Sequence, residues 1–261
     1  MQPLKVKGIL IGEGQPKTIV PIMDTVPILL AASATDALKA GADLVEWRAD
    51  FLDDLEDPNM LRIAAYAVAE AIPDTPIVAT IRTKDQGGLV ELDQKTYVKL
   101  IRTLINTEVI DIIDIEYSTV DEKALDELIA LAHAHHIMVI SSVHDFEGTP
   151  TVPSMVMLLT MMAQTGADIA KLAVYATSAV DALHLMEATT ICSTKLGCPL
   201  ATLAMGDAGK ITRIAGESFS SALTFCSLER SSAPGQIQLK DARNALDALH
   251  RAISSETRNE A

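Results

Sequence analysis

Apolar residues along this chain come in two kinds of run, and the two kinds alternate. Short runs rich in Val, Ile and Leu occupy 44–50, 76–82, 112–117, 138–144, 167–175, 199–205 and 222–228. Between and after them lie longer stretches with helical spacing: 28–39, 60–72, 94–106, 121–136, 154–164, 178–195, 211–220 and 239–254. The first kind predicts strands and the second helices. Local punctuation agrees. Gly41 follows the first helix, Pro73 stops the second, and Ser178 with Asp181 makes a capping pattern at the start of the sixth. Ahead of these, 6–11 and 17–23 are short apolar runs separated by a turn at 12–16, which predicts an opening hairpin. Counting 17–23 as a strand gives eight strand–helix pairs with no composition break. Runs that are apolar almost throughout suit a parallel sheet covered by helices on its faces. Length, alternation and count predict an α/β protein: one (β/α)₈ TIM barrel domain over 1–261, its N-terminal end closed by the hairpin. A doubly wound open sheet ranks second, but no Gly-x-Gly-x-x-Gly lies between a strand and a helix.

Composition narrows the partners. Apolar residues make up 49% of the chain and the net charge is −14. That charge argues against nucleic acid and against an anionic membrane, both of which need a basic face. A small anion is still compatible with a few cations focused in a cleft. Cys192, Cys198 and Cys226 are too few and too scattered for a disulfide framework, and no metal-ligand spacing joins them. Reduced thiols in a cytoplasmic protein account for them. The first residues carry no cleavage signature, and no run approaches a membrane span.

In such a barrel the chemistry gathers at the C-terminal ends of the strands. Glu46 and Arg48 are two apart and share a face. Arg82 ends the third strand, Asp114 and Glu116 share a face of the fourth, and His144-Asp145 ends the fifth. Met205-Gly206 ends the seventh, and 231–236 is a loop stiffened by Pro234 and loosened by Gly235. Each has a plain reading. Glu46 and Arg48 could be a capping ion pair, His144 a strand-end histidine, Asp114 and Glu116 buried acceptors, and Arg213 a helix-surface residue. His133, His135 and His136 sit at a helix C-terminus, where the dipole favours them. Lys171 is harder to dismiss. A Lys within a strand buried on both faces has no easy route to water, and desolvation favours its neutral amine, the nucleophile of Schiff bases. An amine, a potential base and three arginines should all face one rim.

These residues carry a resemblance. Glu46-Trp47-Arg48 with Asp50, Arg82 with Gly87-Gly88, 142–146 around His144, 166–171 ending in Lys171, Met205-Gly206, 213–216 and 232–236 run in order over nearly the whole chain. The chain resembles the type I 3-dehydroquinate dehydratases, the Schiff-base-forming enzymes of the shikimate pathway. The resemblance implies Lys171 as the Schiff-base lysine and His144 as general acid/base. It implies Arg213 as the clamp for the substrate carboxylate, and Glu46, Arg48, Arg82, Ser232 and Gln236 as substrate-binding residues. Met205 would line the pocket, and 232–236 would be a lid. The sequence departs at three places: Gln86 stands where many members have Glu beside the histidine, Leu203 where some have Met, and Pro21 where some have Ser.

The activity implied is dehydration of 3-dehydroquinate to 3-dehydroshikimate with no metal or organic cofactor. The Arg cations would also help keep Lys171 unprotonated. A class I aldolase uses the same imine on the same barrel and stays open as an alternative. It would want a phosphate site near 206–210, where Asp207 is unwelcome. A barrel kept as a binding module is a third possibility. The Met-rich helix at 155–162 packs on the barrel or forms a dimer face; a homodimer is expected.

Overall fold

The computed structural model of the chain describes residues 2–259. β1 (Leu4–Val6) and β2 (Ile9–Ile11) form an antiparallel hairpin. Then come β3 (Lys17–Ile22), α1 (Pro27–Lys39), β4 (Leu44–Arg48), α2 (Pro58–Ala71), β5 (Ile77–Thr80), α3 (Gln94–Ile105), β6 (Ile112–Glu116) and α4 (Glu122–Ala134). The second half continues with β7 (Met138–Asp145), α5 (Val152–Gln164), β8 (Ile169–Tyr175), α6 (Ala179–Ser193) and β9 (Leu200–Met205). It ends with α7 (Ile211–Ile214), α8 (Gly216–Phe219), β10 (Leu223–Ser227), β11 (Ile237–Gln238) and α9 (Leu239–Asn259). β3 to β9 are parallel neighbours in chain order, and β10 pairs parallel with β3. The ring closes through a bridge between Leu200 and Ser221, where the Ala222 N–H donates to the Leu200 carbonyl at 2.7 Å. This is the expected eight-stranded barrel.

The two-residue period of the strands sorts side chains into an inner and an outer set. Outward, Val45, Trp47, Ile113, Ile115, Leu172 and Val174 pack under the helices. Inward, the residues form layers. Leu44, Val78, Ile112, Ile140 and Ile169 make a dry floor. Two residues further along the same strands stand Glu46, Thr80, Asp114, Ser142 and Lys171, all buried. Two further stand Arg48, Arg82, Glu116, His144 and Ala173. The barrel is therefore apolar at one end and charged at the other. Helix starts are fixed by side-chain caps at Asp57, Asp93, Asp121, Thr151 and Ser178, the last a full capping box with Asp181. Each such cap stabilises its helix by about 1 kcal/mol.

Two expectations are corrected. The hairpin pairs 4–6 with 9–11, not 6–11 with 17–23. Lys7 and Gly8, both at positive φ (43° and 86°), supply the tight turn that a two-residue hairpin requires, and 17–22 is free to serve as the first barrel strand. The hairpin does cover the N-terminal end: Val6 and Ile11 pack on the floor residues, and Lys7 Nζ reaches Asp111 at 3.0 Å. The helix expected over 211–220 is two short helices that part at Ala215. Among the described residues, no helix is long and apolar enough to cross a membrane.

Candidate active site

The charged end of the barrel opens into a pocket. Lys171 stands in the middle of β8 and is 3% exposed. Its Nζ donates to Asp114 Oδ2 at 2.9 Å and lies 3.9 Å from Glu46 Oε1. The Phe225 ring is 4.3 Å away on a third side. The structure thus places two carboxylates nearer to Lys171 than the arginine-field expectation allowed. That expectation counted charges without their partners.

Most of those arginines are neutralised. Arg48 makes a bidentate pair with Asp50, both bonds at 2.8 Å. Arg82 forms ion pairs with Asp114 at 2.8 Å and Glu116 at 3.1 Å, and donates to Ser142 Oγ at 3.0 Å. Burial works against the Arg82 charge, but the carboxylates of Asp114, Glu116 and Glu46 outweigh it and raise its pKa. The converse holds for Asp114. Burial would push it up, yet Arg82 and Lys171 hold it well below the usual carboxylate range. Glu116 also accepts from the Thr83 amide and hydroxyl and from Thr119, so the reading of Asp114 and Glu116 as buried acceptors holds for both. Glu46 is not Arg48's partner: its Oε1 accepts from Thr80 at 2.9 Å.

Arg213 differs. It lies in α7, 2% exposed, inside the barrel mouth rather than on a helix surface. Among the described residues it donates only to main-chain carbonyls, Phe225 and Pro234, both at 3.3 Å. Its Nε is buried without a partner, and no ion pair to it is found among the described residues. Burial lowers its pKa to about 10. A buried cation facing a pocket with no counter-ion is a built place for an anion.

His144 is half-buried at the end of β7. Burial first, then the cations of Arg82 and Lys171, hold its imidazole well below the usual range, with Asp114 opposing. A lowered pKa favours the neutral imidazole, the form able to accept a proton. Gln86 sits beside it, but its Oε1 accepts the His144 backbone N–H at 2.7 Å and not a ring nitrogen. The turn carrying Gln86 folds back because Gly87 and Gly88 have no side chains. A Cβ on Gly87 would strike the Phe146 ring and one on Gly88 the Arg82 carbonyl.

The loop after β10 leans over the mouth. The Ser232 amide donates to Gln236 Oε1 and Gln236 Nε2 donates to Ser232 Oγ, each at 2.8 Å. Gly235 sits against Gly206, where a Cβ would lie 2.5 Å from the Gly206 carbonyl.

All ten residues singled out for the site line this pocket: Glu46, Arg48, Arg82, Gln86, His144, Lys171, Met205, Arg213, Ser232 and Gln236. Leu203 lines it as well, whereas Pro21 does not. Two contacts of Lys171, with Asp114 and with Phe225, were not read from the sequence. Asp114 was legible as an inward residue two before Glu116, and Phe225 as an inward residue of β10. Their contact with Lys171 depends on strand stagger, which has no local signal. In the phosphate-like stretch near 206–210, Lys210 pairs with Asp207 at 2.7 Å on the exposed surface.

Known proteins agree with this geometry. Residues 19–253 match the family model for type I 3-dehydroquinase. A 3-dehydroquinate dehydratase of Lactiplantibacillus plantarum is 41% identical over 250 residues, covering 95% of this chain and 99% of the relative. The crystal structure of the Geobacillus kaustophilus 3-dehydroquinate dehydratase superposes with a TM-score of 0.92 at 32% identity, covering 96% of this chain and 97% of that one. The type I enzyme of Clostridium difficile, solved with covalently modified comenic acid, gives 0.92 at 35% identity, with 96% and 99% covered. The chain belongs to the type I 3-dehydroquinase family.

Proposed function

We propose that this chain dehydrates 3-dehydroquinate to 3-dehydroshikimate through an imine on Lys171. One observation carries the proposal. A buried lysine, a histidine that favours its neutral form and a buried arginine without a counter-ion among the described residues line one pocket. The substrate is a cyclic β-hydroxy ketone with a carboxylate. Arg213 takes the carboxylate; Glu46, Arg48, Arg82, Ser232 and Gln236 bind the hydroxyls. Met205 and Leu203 pack on the ring, and Gln86 fixes the end of the strand that carries His144.

Lys171 adds to the ketone, and water leaves. The protonated imine is an electron sink, so the neighbouring C–H becomes acidic enough for an imidazole. His144 removes that proton to give the enamine. It then protonates the departing β-hydroxyl, which leaves as water. Hydrolysis of the product imine frees Lys171. The covalently modified ligand on the Clostridium difficile relative supports covalent chemistry in the family. The aldolase alternative is disfavoured by Asp207, a carboxylate in the loop where a sugar phosphate would bind, already paired with Lys210 at 2.7 Å.

The same proposal includes a single catalytic domain acting as a homodimer in the cytoplasm. Three free thiols suit a reducing compartment. The exposed side chains of Met157 and Met161 on α5, and of Val180 and Leu183 in α6, suit a second copy.

The test is an absorbance assay with purified protein and 3-dehydroquinate. The new double bond conjugates with the ketone and absorbs in the ultraviolet. Growth of that band with the native protein and its loss in Lys171→Ala are expected. No band with the native protein would overturn the proposal.

A further inference from the structure

Asp114 is fully buried in the middle layer of the barrel. Its Oδ2 is shared by two cations, Lys171 Nζ at 2.9 Å and Arg82 at 2.8 Å. Its Oδ1 accepts from Ser142 Oγ at 2.5 Å. Two hydrogen bonds and an ion pair, spread over both oxygens, fix the orientation of the carboxylate. Glu46, the other acid near Nζ, is a full ångström further off and already accepts from Thr80.

Resting on the Schiff-base proposal, we infer that Asp114 is a positioning residue: the fixed counter-ion of the Lys171 nitrogen through the catalytic cycle. The proton count motivates this. An ammonium and a protonated imine each carry one positive charge on nitrogen. In the condensation the C–N bond forms and the ketone C–O bond breaks. Two of the three ammonium protons leave with that oxygen as water, and the third stays on the imine nitrogen. His144 accepts the first of these protons, which exposes the lone pair, and returns it to the departing oxygen. No proton is gained or lost overall, and the charge facing Asp114 is the same before and after. Nitrogen is neutral only in the attacking amine, the carbinolamine that expels water and the enamine; the balancing proton then sits on His144 or on the departing oxygen. A rigid buried carboxylate thus stabilises the ammonium and both imines, and holds Nζ on the pocket side of β8.

Asp114→Asn keeps the shape and removes the charge. Single-turnover mixing with 3-dehydroquinate, borohydride quenching and peptide mass spectrometry measure how fast the Lys171 adduct forms per folded molecule. The adduct is expected about 10- to 100-fold more slowly than in the native enzyme, because Nζ loses the contact that holds it on the pocket side of β8 and a small misplacement of a nucleophile costs up to about that factor. KM should stay within about threefold, because Arg213 holds the substrate. Asp114→Glu should recover part of the rate. Ser142→Ala keeps the charge but frees Oδ1, and should slow adduct formation by a smaller factor. It decides the question if Asp114→Asn does not fold. Adduct formation at the native rate in the folded variant, or a change confined to KM, would overturn the inference. A native enzyme that traps no adduct would overturn the Schiff-base proposal itself, which is a separate outcome.

Discussion

Gln86 holds His144 by its backbone, accepting the amide N–H at 2.7 Å, while its own Nε2 donates to Ser118 Oγ at 3.2 Å. The ring is left alone: its Nδ1 is buried without a partner among the described residues. A neutral amide here fixes the strand end and adds no charge beside the imidazole. Burial and the nearby cations then keep the imidazole pKa depressed.

A pH profile follows from this. The base must be neutral, so kcat/KM falls as pH drops through the His144 pKa. Because that pKa is depressed, the acid limb should lie below about 6.5. Gln86→Glu introduces a carboxylate, which favours the imidazolium and should move the limb to higher pH. An acid limb at the same pH in both proteins would mean that position 86 does not influence the ring.

Arg213 should trade stability for binding. Its charge is buried with no anion to balance it among the described residues. Arg213→Met removes that cost and keeps the volume, so thermal unfolding should give an equal or higher Tm. KM should rise about 10- to 100-fold with the loss of a charged hydrogen bond. Arg213→Lys should also bind poorly, since an ammonium cannot reproduce the fork. A native KM in both variants would place the carboxylate elsewhere.

The loop at 231–236 should close over the ligand. Gly235 has φ of 77° and no room for a Cβ against Gly206. Gly235→Ala should therefore unseat the loop and lower kcat/KM, with little change in Tm because the loop is peripheral to the core. Amide exchange at Ser232 and Gln236 should slow when substrate or product is bound. Equal exchange with and without ligand would argue against a lid.

The barrel was legible because its strands are buried on both faces and its helices keep their own period, so the two patterns never blur. The site was legible for a related reason. Polar residues such as Glu46, Asp114 and Lys171 interrupt otherwise apolar strands, and the fold gives such interruptions few places to go. Partnerships were not legible. Arg48 pairs with Asp50 and not Glu46, and Lys171 on β8 meets Asp114 on β6 across the intervening β7. The first is a local choice between two acids at equal spacing, and the second depends on stagger between strands far apart in sequence. The hairpin was misplaced because Lys7-Gly8 is a weak turn signal beside the conspicuous glycines and proline of 12–16.

His144→Ala should separate the two steps of the chemistry. Lys171 can still add to the ketone, so the imine should form in some measure. Proton removal and imine hydrolysis both need a carrier at that position. A persistent adduct is expected in the variant, visible by intact mass without reduction. Rapid release of product by His144→Ala would assign the proton transfers to another group.

The most direct measurement is borohydride reduction of the native enzyme during turnover of 3-dehydroquinate, followed by peptide mapping. The expected result is inactivation with one reduced adduct, on Lys171 within the β8 segment Ile169–Tyr175. An adduct on a different lysine, or full activity after reduction with no adduct, would contradict the imine mechanism at this site.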